Sequence, residues 1–109
     1  MICKRYDIHS VELDHTRGSE LRKTRPAVIA SVDVLNRALE TVVVCPLTSQ
    51  LHPEWRTRLP VKIKDNPAEI AADQIRTVSK GRLGKKLASL TAHDAAALRR
   101  LLGEIYAEG

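Results

Sequence analysis

The residues best suited to chemistry in this sequence form two short polar segments, each joined to an apolar run. The first segment, RGSELRKTR, groups four cations around the carboxylate of Glu20 and leads at once into PAVIA. The last of these cations, Arg25, directly precedes Pro26, whose ring stiffens the chain. An arginine in a rigid setting binds phosphate well, because its planar guanidinium donates to two oxygens at once. The alternative is a surface arginine paired with Glu20, and the residues by themselves favour that pairing.

The second polar segment, LTSQ, follows the apolar run TVVVCP. Polar residues at the end of a buried strand have a rigid support, which suits a binding or catalytic site. Thr48 offers a hydroxyl for a phosphate oxygen, or it forms a turn by bonding to its own backbone. Glu20 has three open roles: it acts as a base, it holds Arg25 in place, or it is a solvated loop carboxylate.

The histidines and cysteines provide no metal-binding motif. No pair of the four histidines has a metal-ligand spacing, and Cys3 and Cys45 are too isolated for a zinc site or a disulfide framework. We therefore expect no metal and no other cofactor. His52, which is close to Thr48, is the best further candidate for a proton donor. Trp55 either stacks on a base or anchors its loop, and we favour the anchor.

Length and charge indicate one basic domain. The 109 residues suit a single domain, residues 1–109, and the hydrophobic content of 43% is enough to bury a core. The net charge of +5 favours a polyanionic partner, either a nucleic acid or an acidic protein. No apolar run has the length of a membrane span, and the N-terminus lacks the apolar stretch of a signal peptide. We therefore expect a cytoplasmic protein that uses no membrane.

Short strands are predicted to position the two polar segments. Ile8, Val11 and Leu13 are the inward residues of the first strand, and their uneven spacing suggests a bulge. Continuous apolarity predicts that the second strand is buried on both faces, and Pro60 favours an edge position for the fourth. A polar loop is expected at 14–25. The predicted strands cover residues 6–13, 27–31, 41–46, 58–63 and 83–90.

The remaining segments predict turns and helices. Residues 33–39 suit one or two helical turns capped by Asp33, residues 65–67 suit a turn, and residues 68–78 fit either a strand or a helix. Thr91 and Asp94 form a capping box that opens a C-terminal helix. The apolar stripe of that helix comprises Leu98, Leu101, Leu102 and Ile105. The whole pattern predicts a mostly β fold, a small sheet or barrel with a C-terminal helix packed on it.

Three segments, in this order and spacing, closely resemble the MazF/PemK family of toxin endoribonucleases. They are TRGSELRKTRPAVIAS with NRAL just after it, TVVVCPLTSQ, and DQIRTVSKGRLGKKLASL. The resemblance extends from about residue 7 to the C-terminal helix. It implies a small SH3-like barrel of the CcdB/PemK type and a homodimer. It also implies metal-independent cleavage of single-stranded RNA at short sequences, and a cognate antitoxin whose acidic tail blocks the RNA site. The chain departs from the family pattern at Tyr6, His9, His15 and Leu21.

The resemblance also implies roles for individual residues. Arg25 and Thr48 match the catalytic partners of the family, and Glu20 is the third catalytic candidate. Arginine is a poor base because its pKa lies above about 12, so we assign Arg25 to electrostatic stabilisation of the reacting phosphate. The expected base readers and phosphate contacts are Ser19, Arg22, Lys23, Gln50, Asp73 and Gln74. For Asp73 and Gln74 the alternative is the polar face of an exposed strand.

Two readings from other functional classes compete with the ribonuclease. A CcdB-like protein with the same architecture inhibits gyrase by binding it, through particular C-terminal residues. The chain ends in YAEG without a tryptophan and keeps Arg25 and Thr48, which argues against this reading. A nucleic-acid-binding module without activity explains the charge but leaves Thr48 and Glu20 without a role.

Overall fold

The computed structural model describes residues 3–13 and 24–106, which form a mostly β structure. The strands are β1 (Asp7–Glu12), β2 (Thr24–Ile29), β3 (Thr41–Thr48), β4 (Arg58–Ile63), β5 (Asn66–Ala71), β6 (Arg76–Ser79) and β7 (Leu83–Ser89). The helices are α1 (Asp33–Ala38) and α2 (Ala92–Tyr106), and 3-10 turns lie at Ala72–Gln74 and Lys80–Arg82. Within the described residues, no helix has the length and apolarity needed to cross a membrane.

Strand β3 is the centre of the sheet. Hydrogen-bonded neighbours follow the order β4-β5-β3-β2-β1-β7, and β6 pairs with β3 outside this path. Along one edge, β3 pairs with β6 over residues 41–44 and with β5 over residues 47–48. Its other edge pairs with β2 over residues 44–46. All these pairings are antiparallel, and the strands curve into a half-barrel. The predicted mostly β fold with a C-terminal helix is confirmed.

The core lies on both sides of β2. Residues 27–30 are all buried, and they alternate between two apolar clusters. Ala27 and Ile29 belong to the first cluster, whereas Val28 belongs to the second, on which α2 packs through Leu98. Burial of β2 on both faces is therefore confirmed. The stripe of α2 is confirmed as well, because its remaining members are partly buried against the second cluster.

Strand β1 has the predicted inward residues and the predicted irregularity. Ile8, Val11 and Leu13 are all buried. Pairing with β2 is regular, but the register with β7 shifts on either side of His9. The expected irregularity is therefore confirmed, but it lies in the pairing with β7. The uneven apolar spacing has another cause, because Ile8 belongs to the second cluster, whereas Val11 and Leu13 belong to the first.

Two strands are longer than predicted. Strand β3 does not end at Pro46, because Leu47 and Thr48 pair with β5 on the other edge and extend the strand. Strand β2 begins at Thr24, so Arg25 is in a strand, opposite Val11, and not in a loop. Residues 14–23 of the predicted loop lie outside the described residues.

The turn and cap predictions had mixed outcomes. The turn after β4 is at Lys64–Asp65, where φ is +50° and +68°, and Asn66 already belongs to β5. The ambiguous segment 68–78 divides into the end of β5, a 3-10 turn and β6. Asp33 is not a cap, because its carboxylate accepts the backbone N–H of Arg5 at 2.7 Å. The Thr91 cap is confirmed, since its hydroxyl accepts the N–H of Asp94 at 3.1 Å.

We predict that Cys45 gives the fold an alkaline pH dependence. Burial in β3, aided by the negative charge of Asp73, raises the pKa of the Cys45 thiol from 9.0 to about 12. The unfolded thiol therefore loses its proton at a pH where the folded thiol keeps it. The contribution of the Cys45 thiol to the free energy of unfolding is fully present below about pH 9. It then falls by up to about 1.4 kcal/mol per pH unit between pH 9 and about 12.

Urea unfolding of wild type and Cys45→Ala at pH 8, 9 and 10 measures this dependence. The free energy of unfolding of wild type should fall more steeply with pH than that of the variant, which lacks the thiol. Parallel slopes for the two proteins would contradict the assignment.

Candidate active site

The ends of β2 and β3 form one wall of a cavity. Its volume is about 580 Å³, and the β4–β5 hairpin forms the opposite wall. Arg25, Thr48 and Gln50, three of the predicted site residues, line this cavity together. The other polar lining residues are Ser49, Lys64 and Asn66, and the apolar lining includes Ile8, Leu47 and Leu87. The two polar segments that were singled out from the sequence are therefore adjacent in the fold.

The register of the sheet explains why Arg25 and Thr48 come together. Ala27 of β2 lies opposite Pro46 of β3. In an antiparallel pair, moving two residues along each strand from that point leads to Arg25 on one side and Thr48 on the other. The Arg25 side chain is exposed, and its backbone is paired to Val11. An exposed cation on a paired strand backbone is well suited to binding a phosphate group.

The hydroxyl of Thr48 has a local partner. Its oxygen accepts the backbone N–H of Gln50 at 3.1 Å, which is the turn that the sequence offered as the alternative role. A hydroxyl that accepts one hydrogen bond still has its own proton to donate. The structural and chemical roles of Thr48 are therefore compatible.

The segment after β3 is held by aromatic and polar contacts. The His52 ring stacks on Trp55 with 3.9 Å between centroids and 7° between planes. The Arg58 guanidinium lies over the Trp55 ring, 4.8 Å from its centroid. Trp55 therefore anchors its loop, as we favoured. The cavity lining does not include His52, so the structure gives no support to His52 as a proton donor there.

Asp73 and Gln74 lie apart from this cavity. Both belong to the 3-10 turn that follows β5, and neither lines the cavity. The Asp73 carboxylate accepts from Nε of Arg58 at 3.1 Å. The alternative of an exposed strand is wrong, because these exposed side chains are on a turn. Their role as base readers stays a prediction. The chain thus brings three of the five described site candidates to one place.

Four predicted site residues have no structural description. Ser19, Glu20, Arg22 and Lys23 lie outside the described residues. Their roles therefore remain predictions from the sequence. Within residues 3–13 and 24–106, no group of three His, Cys, Asp or Glu side chains is arranged to hold a metal ion.

Sequence reasoning missed Glu69. This carboxylate is 1% exposed, and both of its oxygens lie 2.9 Å from the backbone N of His52, whose N–H they accept. Its residue pairs with Thr48 across β3 and β5. A glutamate in the alternating segment PAEIAA was the only available signal, since charged residues are rarely buried without a partner.

Comparisons with known proteins identify relatives of this chain. A family model described as "PemK-like, MazF-like toxin of type II toxin-antitoxin system" matches residues 4–106. "Endoribonuclease EndoA" of Bacillus subtilis (strain 168) is 31% identical over 98 residues, which are 83% of this chain and 82% of that protein.

Solved structures share the fold. "Mycobacterium tuberculosis toxin MazF-mt6" superposes with a TM-score of 0.77 at 26% identity, covering 92% of this chain and 95% of that one. A MazE–MazF crystal structure (Form-III) from Deinococcus radiodurans superposes with a TM-score of 0.84 at 19% identity, and both chains are fully covered. At that identity the second match is a likeness of fold.

Proposed function

The chain belongs to the PemK-like, MazF-like toxin family of type II toxin–antitoxin systems, and we propose that it is an endoribonuclease that cleaves single-stranded RNA without a metal ion. The observation that carries the proposal is the shared cavity of Arg25 and Thr48. The curated relative at 31% identity, named an endoribonuclease, supports it.

The proposed reaction uses the RNA's own nucleophile. The 2′-hydroxyl loses its proton and attacks the adjacent phosphorus, and the bond from phosphorus to the 5′-oxygen breaks. That oxygen takes up a proton, so the products are a 2′,3′-cyclic phosphate and a 5′-hydroxyl. Arg25 stabilises the charge that builds up on the phosphate oxygens, because its planar guanidinium can donate to two of them at once.

The other catalytic groups act on protons and orientation. The Thr48 hydroxyl donates its free proton to a phosphate oxygen or orients the 2′-hydroxyl. Glu20 is the candidate base, and its alternative role is to hold Arg25.

Base recognition is proposed for the rim of the same cavity. Gln50 lines the cavity two residues after Thr48, and an amide can both donate to and accept from a base edge. Ser19 joins Gln50 as a proposed base reader, whereas Arg22 and Lys23 follow the phosphate backbone. Asp73 and Gln74 are left out of this proposed contact because they lie away from the cavity.

An acidic antitoxin and a second copy of the chain are the proposed protein partners. A structural neighbour is a MazE–MazF structure, and the net charge of +5 favours an acidic tail. The exposed large apolar side chains concentrate on and beside α1, at Val32, Val34, Leu35 and Leu39. Such a patch is typical of protein contacts and supports the homodimer.

Chelation tests the metal-independent mechanism. Purified protein, incubated with a long single-stranded RNA in excess EDTA, should cleave at the same rate as without EDTA. The products should carry cyclic phosphate and 5′-hydroxyl ends, detected by end-labelling before and after removal of the cyclic phosphate. Loss of cleavage in EDTA would reject the mechanism, and RNA binding without cleavage would instead favour the binding module.

Substitution of Arg25 tests the assignment of charge stabilisation. Arg25→Ala should lower the cleavage rate roughly 100- to 1,000-fold, the usual cost of losing one such donor. Thr48→Val should also lower it, and Thr48→Ser should retain most of it because the hydroxyl remains. Arg100→Ala is the matched control, since Arg100 is an exposed arginine on α2. An Arg25→Ala protein that folds and cleaves normally would overturn the assignment.

The partner proposal predicts competition on one surface. Sedimentation at micromolar concentration should give a homodimer, and the acidic half of the antitoxin encoded beside the gene should displace RNA from it. Arg25→Glu should weaken the binding of both RNA and antitoxin. Both ligands should also bind less tightly as salt rises from about 0.05 to about 0.5 M. A monomer, or a ternary complex in which RNA affinity is unchanged, would contradict this arrangement.

A further inference from the structure

Glu69 is a buried carboxylate beside the cavity that the proposed mechanism does not use. It is 1% exposed, although a carboxylate is costly to bury unless it accepts hydrogen bonds. Its partner is a backbone amide 17 residues away in sequence, the N–H of His52, at 2.9 Å from each oxygen. A charge-assisted hydrogen bond of this kind is stronger than a bond between neutral groups. Glu69 therefore ties strand β5 to the segment that follows β3.

The tie lies just beyond the cavity wall. Thr48 is the last residue of β3, and its backbone is fixed by pairing with the backbone of Glu69. The chain then leaves the sheet, and Ser49 and Gln50 line the cavity. At His52 the backbone N–H donates to the Glu69 carboxylate. The segment from Thr48 to His52 is thus a short span held at both ends by the same residue of β5.

The two ends of the span differ in how they are held. At Thr48 the attachment is backbone pairing in the sheet, which any residue at position 69 preserves. At His52 the attachment is the Glu69 side chain, assisted by the stacking of His52 on Trp55. Removing the carboxylate therefore frees the far end, next to Gln50, and leaves Thr48 in place.

We propose that Glu69 is a positioning residue that sets the sequence preference of RNA cleavage by fixing the backbone that carries Ser49 and Gln50. The inference rests on the proposed endoribonuclease function and extends it to a residue outside the cavity. Arg25 and Thr48 do not depend on the Glu69 side chain for their backbone position. Loss of Glu69 should therefore impair recognition of the RNA sequence more than the chemical step.

Two variants distinguish the loss of the hydrogen-bond acceptor at position 69 from a change in side-chain shape. Glu69→Leu removes both oxygens at similar volume, whereas Glu69→Gln keeps one carbonyl oxygen for the His52 N–H. Asp7→Asn is the control, because Asp7 is also a buried carboxylate, 7% exposed, but accepts from Ser89 on β7, away from the span. Loss of stability alone should appear in the control as well.

Hydrogen exchange and cleavage profiles give the two readouts. In Glu69→Leu the amide of His52 should exchange at least about tenfold faster, whereas the amide of Gln50 keeps its bond to the Thr48 hydroxyl. The KM for an RNA holding the preferred sequence should rise about tenfold, kcat should stay within about twofold of wild type, and new cleavage sites should appear on a long RNA. Glu69→Gln should be close to wild type, and Asp7→Asn should keep the wild-type cleavage profile.

Hydrogen exchange at His52 tests the role of Glu69 even if a variant fails to fold or the protein cleaves no RNA. A His52 amide that exchanges in wild type as fast as an exposed amide would overturn the positioning role directly. So would a Glu69→Leu protein that folds with unchanged exchange at His52, or with an unchanged cleavage profile. Wild-type protein that leaves RNA intact would reject the proposed function, while protection of the His52 amide would still report on Glu69.

Discussion

The pairing of β3 on both of its edges is the constraint on which the rest of this structure depends. One edge is bound to β2 and the other to β6 and then β5. Because side chains alternate along a paired strand, a slip of one residue would move every side chain to the opposite face. The two buried clusters on either side of the sheet make such a slip costly. The end of β3 is therefore a fixed point, and Thr48 is its last residue.

The fixed end of β3 suits the electrostatic role proposed for the cavity. A phosphate group needs donors that are already in position, since reorganising them during the reaction would cost the energy they supply. Arg25 is anchored by strand pairing at its backbone and is exposed at its side chain. This combination supports a cation near the apolar interior without burying its charge, which would be expensive. It also explains why a cluster of positive charge directly precedes a strand that is buried on both faces.

Polar groups inside the fold maintain the segment beside the cavity. Glu69 is buried against a backbone amide, and Arg58 lies between the carboxylate of Asp73 and the ring of Trp55. The bonds of Glu69 to His52 and of Arg58 to Asp73 join parts of the chain that are 17 and 15 residues apart. The fold matches a relative of 19% identity with a TM-score of 0.84, so most side chains differ while the backbone is retained. The bond between Glu69 and His52 is one such side-chain contact within the retained backbone.

The sequence by itself determined the local features of this protein. The doubly buried second strand and the stripe of α2 both followed from apolar spacing, because that spacing repeats with the geometry of each element. The ordered segments identified the family, and they singled out Arg25 and Thr48 before any geometry was known.

Only the tertiary structure decided which polar groups meet. In the structure β3 extends past Pro46, Arg58 donates to the carboxylate of Asp73, and Glu69 is buried opposite Thr48. These outcomes depend on pairing between strands and turns that lie 15 or more residues apart. Such pairings are set by the register and closure of the whole sheet, and no local pattern of residues encodes them.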